Sequence, residues 1–281
     1  MSILDFNLID EITKRFKLDN EISIVDLGCG VGRSLWDLSN IFSKKEAELN
    51  LFGIFYSGKP DPNSLFFANQ IRHEEAQKEP LLIAREFKIP FQNKTVPVLL
   101  NTNACKTLPM ANNSIDLIYS TNAFHYFNDK IEAIKEISRI LKINGIAIIN
   151  IDRTDDDFWP TDLHFPRFRI SKGSEIIDVK SLLEAKTGVS FTICINKVNS
   201  YGTGKNSYIL RIEKHQKGVL LFPELSFDIK SSFSLEKIRC GSKNIEEIDE
   251  YKGLLADGIV FAKKASKENF GGYLSSYKLN E

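Results

Sequence analysis

The stretch Val25-Asp26-Leu27-Gly28-Cys29-Gly30-Val31-Gly32 decides how the chain reads. It closes a short apolar run, Glu21 to Leu27, and opens onto Gly32 to Phe42, where Leu35, Leu38, Ile41 and Phe42 fall at helical spacing. A buried strand that enters a glycine-rich turn and leaves as a helix is the start of a strand–helix unit. Glycines at 28, 30 and 32 let the backbone turn tightly and let a ligand reach main-chain N–H groups with no Cβ in the way. Such a ligand lies at the carboxyl end of the strand, near the helix N-terminus. The spacing also discriminates. A dinucleotide fingerprint needs its third glycine at 33, and that position is Arg33. The glycine triplet behind Asp26 favours a ligand site over a bare turn.

Outward from this unit the alternation continues. Residues 4–17 form an amphipathic leading helix through Leu4, Leu8, Ile9, Ile12 and Phe16. Leu49 to Tyr56 reads as a second strand, Val96 to Asn101 as a third, Ile115 to Ser120 as a fourth and Ile146 to Ile151 as a fifth. Ser64 to Gln77 reads as a helix, and Ile83 to Pro97, with Pro90 and Pro97, as a loop or hairpin insertion. Asn128 or Asp129 caps a helix whose face carries Ile131, Ile134, Ile137, Ile140 and Leu141. Asn144-Gly145 is read as its left-handed stop. A helix over 178–187 and a hairpin of strands, Phe191 to Asn199 and Ser207 to Lys214, follow. The order predicts an α/β chain with a doubly wound, mostly parallel sheet and helices on both faces.

Composition narrows the function classes. The chain has 281 residues, with 37 Lys and Arg balancing 37 Asp and Glu. That neutrality argues against a general grip on nucleic acid, which needs a basic surface. No apolar run approaches the ~18–20 residues that span a bilayer, and the acid-bearing N-terminus does not read as a secretory signal. Cys29, Cys105, Cys194 and Cys240 lie far apart, and so do the four histidines, so no metal site is expected. A reduced, cytoplasmic setting and no membrane partner are the expectation.

Beyond the glycine turn the sequence resembles a known family. VDLGCGVG looks like motif I of the class I S-adenosylmethionine (SAM) dependent methyltransferases. Asn103 to Ser120 is similar to the family's "DA…LPF.D.SFDLVYS" stretch, Asn122 to Tyr126 to its "alHh" segment, and Lys135 to Gly145 to "KEI.RVLKPGG". The resemblance spans about residues 22–151 and points to the methyltransferase type 11 group. It implies a Rossmann-like seven-stranded sheet and SAM as cofactor, with S-adenosylhomocysteine (SAH) as product. Asp26 is then expected to orient the motif I loop and face the methionine amino group. The backbone at Gly28, Cys29, Gly30 and Gly32 is expected around the methionine part, Asn103 and Ala104 at the adenine, and Asn122 at the amino-acid end.

Two positions depart from the pattern. Phe55 stands where the family usually has the acid that holds the ribose hydroxyls, and Asn103 stands where Asp is common. Asn103 keeps an accepting oxygen. Phe55→Asp is expected to tighten cofactor binding if the site is genuine.

His125, in the loop after the fourth strand, is a candidate substrate contact or general base. Tyr56 and Tyr126 read as core packing, Cys29 as a small packing residue, and Asp152 with Asp155 to Asp157 as a solvated loop. The expected function is methyl transfer to an O, N or C nucleophile of a small molecule. The competing reading is a non-catalytic binding or assembly protein with a degraded cofactor site. No NPPY or Pro-Cys motif of the DNA-methylating enzymes occurs. The expected division is a methyltransferase domain over 1–216, with an insertion at about 59–95, and an extension over 217–281 packed on the same domain.

Overall fold

The computed structural model describes residues 6–44, 48–57, 62, 67–90, 95–121, 123–124, 127, 130–150, 169–172, 175–178, 183, 186, 188–199, 206–221, 239–240 and 243–244. The first strand, β1 (Glu21–Leu27), and the fourth, β4 (Ile115–Ser120), have the predicted bounds. With them run β2 (Glu48–Phe55), β3 (Val98–Asn101), β5 (Leu141–Asn150), β6 (Phe191–Asn199) and β7 (Asn206–Lys214). They form one seven-stranded sheet in the order β3-β2-β1-β4-β5-β7-β6. The first five strands pair parallel with one another; β7 runs antiparallel to both β5 and β6. The expected hairpin therefore closes one end of the sheet.

Both faces are covered. Along β1, Ile22 and Ile24 face one apolar cluster while Val25 and Leu27 face the other. The first cluster takes α1 (Leu8–Arg15), α2 (Arg33–Ile41), α3 (Phe67–Lys78) and α4 (Pro80–Glu86), through Leu8, Leu35, Trp36, Ala76 and Ile83 among others. The second takes α5 (Lys130–Ile140), whose Ile131, Ile134, Ile137 and Ile140 are all buried. Each such side chain contributes about 1.5–3 kcal/mol of apolar transfer.

The structure corrects the reading of residues 83–97. Part of that stretch belongs to α4, which Pro80 starts at its first turn, where the missing N–H costs nothing. With α3, it covers the sheet face on the β2–β3 side. The left-handed Asn144 is present (φ 63), but it lies past the helix. The helix ends at Ile140, and β5 begins at Leu141 with its register to β4 shifting across this turn. Arg15 of α1 donates to the Asn144 carbonyl at 3.0 Å and secures the turn. The predicted cap residues 128–129 and most of the helix expected over 178–187 lie outside the described residues. The beginning of the extension packs on α5: Leu220 is buried, and its N–H donates to Ser138 Oγ at 2.8 Å.

One arginine locks the chain between β3 and β4. Arg139 donates to the carbonyls of Leu108 (3.0 Å) and Met110 (2.8 Å), to Asn112 Oδ1 (2.7 Å) and to Glu136 (2.7 Å). These charge-assisted bonds hold the segment that leads from Asn103 into β4. Arg139→Ala is expected to lower stability by about 2–3 kcal/mol in urea melts. Arg139→Lys recovers less than half, because an ammonium lacks the planar fork.

Candidate functional site

The sheet order reverses between β1 and β4, because β1 connects onward to β2 and β4 to β5 on opposite sides. Crevices in such sheets open at this switch point, outside the carboxyl ends of the strands. Here Ser120 Oγ donates to the Leu27 carbonyl at 2.7 Å and joins the two strand ends. Directly beyond, Gly28 approaches Ala123 so closely that a Cβ at 28 would lie 2.1 Å from the Ala123 Cβ.

The glycine turn is built as the sequence implies. Gly28, Gly30 and Gly32 all have positive φ (80°, 57° and 80°), a region that side chains disfavour. The amides divide into two sets. Gly28 and Cys29 N–H both donate to the Ile54 carbonyl, at 2.8 and 3.0 Å, and Gly32 N–H donates to the Cys29 carbonyl at 2.9 Å. The N–H groups of Gly30 and Val31 have no hydrogen bond among the described residues. A Cβ on Gly30 would meet nothing within 4 Å, so the turn faces open space there. Of the turn residues expected around the methionine part, Gly30 is the one that faces this open space.

Cys29 points the other way. Its Sγ sits where Gly53 of β2 lacks a side chain: a Cβ at 53 would lie 2.6 Å from it. Burial pushes the thiol pKa well up, so it is a packing group, with no thiolate for chemistry. Sequence reading missed Gly53; its signal is an isolated glycine inside an apolar strand, which marks a close approach.

Asp26 is buried, 3% exposed, under the turn. Ser34 Oγ, in the first turn of α2, donates to its Oδ2 at 2.5 Å. Tyr119 of β4 in turn donates to the Ser34 hydroxyl, at 3.1 Å. Desolvation dominates over these bonds and raises the Asp26 pKa to about 6. Sequence reading also missed Ser34 and Tyr119.

At the end of β3, Asn103 Oδ1 accepts the Cys105 N–H at 2.8 Å, so the accepting oxygen already holds its own turn, and Ala104 is buried beside it. Asn122, His125 and Tyr126 lie outside the described residues, as do Asp152 and Asp155 to Asp157.

At the β2 end the expectation about aromatics is reversed. Phe55 is 3% exposed and Tyr56 is 66% exposed. Phe55 takes the last inward position of the strand, and the chain then turns outward. The Phe55 ring lies 5.1 Å from the His73 ring of α3, inside the apolar cluster. Among the described residues no carboxylate stands there, and an acid introduced at 55 meets the core first. Phe55→Asp is therefore expected to destabilise the fold by about 3 kcal/mol or more in thermal melts, before any effect on cofactor binding.

The residues fit SAM at its amino-acid end: an open glycine turn with free amides, over a buried carboxylate whose polar partners are neutral hydroxyls. Among the described residues none supplies the ribose acid. Residues 25–149 match the family model described as "Methyltransferase domain". Comparison with curated proteins finds no match. Among solved structures, the chain is similar to a SAM-dependent methyltransferase from Aquifex aeolicus (15% identity, 75% of this chain and 92% of that one, TM-score 0.41). It is similar to another from Methanosarcina mazei (16% identity, 73% and 98%, TM-score 0.43). A third is the [4+2]-cyclase SpnF (17% identity, 74% and 80%, TM-score 0.45). Among the described residues no helix is long and apolar enough to cross a membrane. By its family match, the stretch from 25 to 149, somewhat less than half of the chain, is similar to a methyltransferase domain.

Proposed function

We propose that the chain transfers the methyl group of SAM to an O, N or C nucleophile of a small molecule, in the cytoplasm. The observation that carries this is the turn at the β1–β4 switch point, with three left-handed glycines and open space at Gly30 above a buried Asp26. The cofactor supplies a sulfonium-activated methyl group. The protein's share is to align an acceptor and exclude water, which accounts for most of the rate in such a reaction. Gly30 and Val31 are the amides for the methionine part, and Asn122 is assigned to the amino-acid end. Asn103 and Ala104 border the adenine. To His125, which follows β4 in the sequence, we assign contact with the acceptor or removal of its proton. The balanced charge of the chain supports a small acceptor over a nucleic acid.

The test is transfer of label from SAM carrying a tritiated methyl group, offered with small-molecule and macromolecular fractions of a cell extract kept apart. Label in the low-mass fraction is the expected result, and His125→Ala is expected to lower it at least tenfold. Label confined to protein or nucleic acid overturns the acceptor class.

The buried Phe55 favours a second reading, a methyltransferase-like protein that binds without catalysing. Calorimetry separates the two: absence of SAH binding at millimolar ligand supports the second and sinks the first.

A further inference from the structure

We propose that Arg33, held on the ring of Phe87 by the insertion that carries α3 and α4, is a binding residue for an anionic group, a carboxylate or a phosphate, of the small-molecule acceptor. The inference rests on the methyl-transfer reading for the ligand's identity, and on the geometry alone for its charge.

Arg33 is exposed and opens α2 directly after the glycine turn, at the end of the sheet where the crevice lies. A cation in the first turn opposes the helix dipole, and the first turn of α2 holds no acid to offset it. Asp37 stands four residues on, at a spacing where helical ion pairs form, yet it does not pair with Arg33. Among the described residues no hydrogen-bond or ion-pair partner meets the Arg33 guanidinium. It lies instead over the Phe87 ring, 4.7 Å from the centroid.

That ring is fixed on both sides. Phe87 closes α4, and its N–H donates to the Ile83 carbonyl at 3.0 Å. Lys88 then takes a left-handed φ of 54°, and the Ile89 N–H turns back to the Ala84 carbonyl at 2.8 Å. Arg72 of α3 approaches the same ring, at 5.9 Å, but Glu86 meets its charge. Glu86 is the one acid in the run Arg85-Glu86-Phe87-Lys88. Two guanidiniums thus share one ring and one carboxylate, and the carboxylate is engaged by Arg72. The planar fork of Arg33 keeps its charge and its donors open, pre-oriented for a carboxylate or a phosphate. Its holder, Phe87, comes from the segment inserted after β2, whereas the Gly30 and Val31 amides belong to the turn itself. Function is grafted onto a shared core by such added segments, which assigns the anchor to the acceptor.

The experiment has two arms, run on the wild type, Arg33→Gln, Arg33→Lys, Phe87→Leu and the double variant Arg33→Gln with Phe87→Leu. In the first, phosphorus NMR follows inorganic phosphate titrated with the full chain at constant ionic strength. Saturable binding is expected in the wild type, weakened at least tenfold in Arg33→Gln and severalfold in Phe87→Leu. Arg33→Lys keeps part of it, and Phe87→Leu adds nothing once Arg33 is gone, because the ring acts through the guanidinium. In the second arm, the low-mass fraction of a cell extract is divided on an anion exchanger before labelling with tritiated SAM. Label is expected in the acidic pool. Arg33→Gln raises the amount of that pool needed for half-maximal rate at least tenfold, while its affinity for SAH stays within about twofold of wild type. Wild-type protein without saturable phosphate binding overturns the proposal, as does undiminished binding in Arg33→Gln. Label confined to the non-acidic pool also overturns it. So does a tenfold loss of SAH affinity in Arg33→Gln, which gives the arginine to the methionine carboxylate instead. Absence of transfer to every pool defeats the methyl-transfer reading, and the phosphate arm then decides the anion site by itself.

Discussion

Gly28→Ala is expected to abolish measurable SAH binding, a loss of at least about a hundredfold, or roughly 2.7 kcal/mol. Two costs add at this position. The backbone sits at φ 80°, where a Cβ costs about 1–2 kcal/mol. The new methyl then lies 2.1 Å from the Ala123 Cβ. Neither group has a rotamer to escape into, so the loops after β1 and β4 must part. That opens the switch point on which the site is built. Stability is expected to fall by about 2–3 kcal/mol, within the range of an overpacked and strained site. Two companions assign the effect. Gly28→Ala with Ala123→Gly removes the clash but keeps the strain, and is expected to recover part of both losses. Gly30→Ala meets nothing within 4 Å, so its stability cost is the φ term alone. Its methyl fills the space that faces the ligand, so binding still drops sharply. Equal SAH affinity in the wild type and Gly28→Ala, measured by calorimetry, refutes the placement of the site at this turn.

How far these features were legible in the sequence depends on their range. β1 and β4 were read to the residue because each is an unbroken apolar run bounded by turn residues, which is what a strand buried on both faces requires. The glycine turn was legible for the same local reason, since backbone freedom is written in residue type. Residues 80–86 were not, because seven residues are too few for a helical period and the later prolines drew the reading toward a loop. The Phe55–Tyr56 inversion shows a different limit. One residue decides which of two adjacent aromatics points inward, and only the strand's end and α3 behind it settle that. The hydroxyl pair around Asp26 joins residues 8 and 85 positions apart, so no spacing rule reaches it. What local chemistry dictates was readable; what long-range packing assembles was not.

That assembly gives Asp26→Asn two effects of opposite sign. In the free protein the carboxylate is a liability. Its pKa is raised from 3.8 to about 6, roughly two units, which corresponds to about 3 kcal/mol of destabilisation when the group is ionised. Between about pH 4 and 6 the folded chain holds a proton that the unfolded chain has released. Stability therefore falls as pH rises through that window, and the cost is fully present above it. Asn removes the charge but accepts the Ser34 hydroxyl less well, so the net gain at pH 7.5 is expected to be on the order of 1–2 kcal/mol. The gain shrinks toward zero or below as pH falls to 4. The same substitution removes the charge proposed to face the cofactor. SAM affinity is expected to fall at least thirtyfold at pH 7.5, and SAH affinity by less. A chain that becomes more stable while losing its ligand identifies a residue kept for binding, because a structural acid would lose stability and affinity together. Chemical melts of the ligand-free protein at pH 4.5, 6 and 7.5, beside calorimetry with both ligands, make the comparison. If Asp26→Asn is less stable than the wild type at pH 7.5, Asp26 serves the fold, and its assignment to the cofactor is wrong.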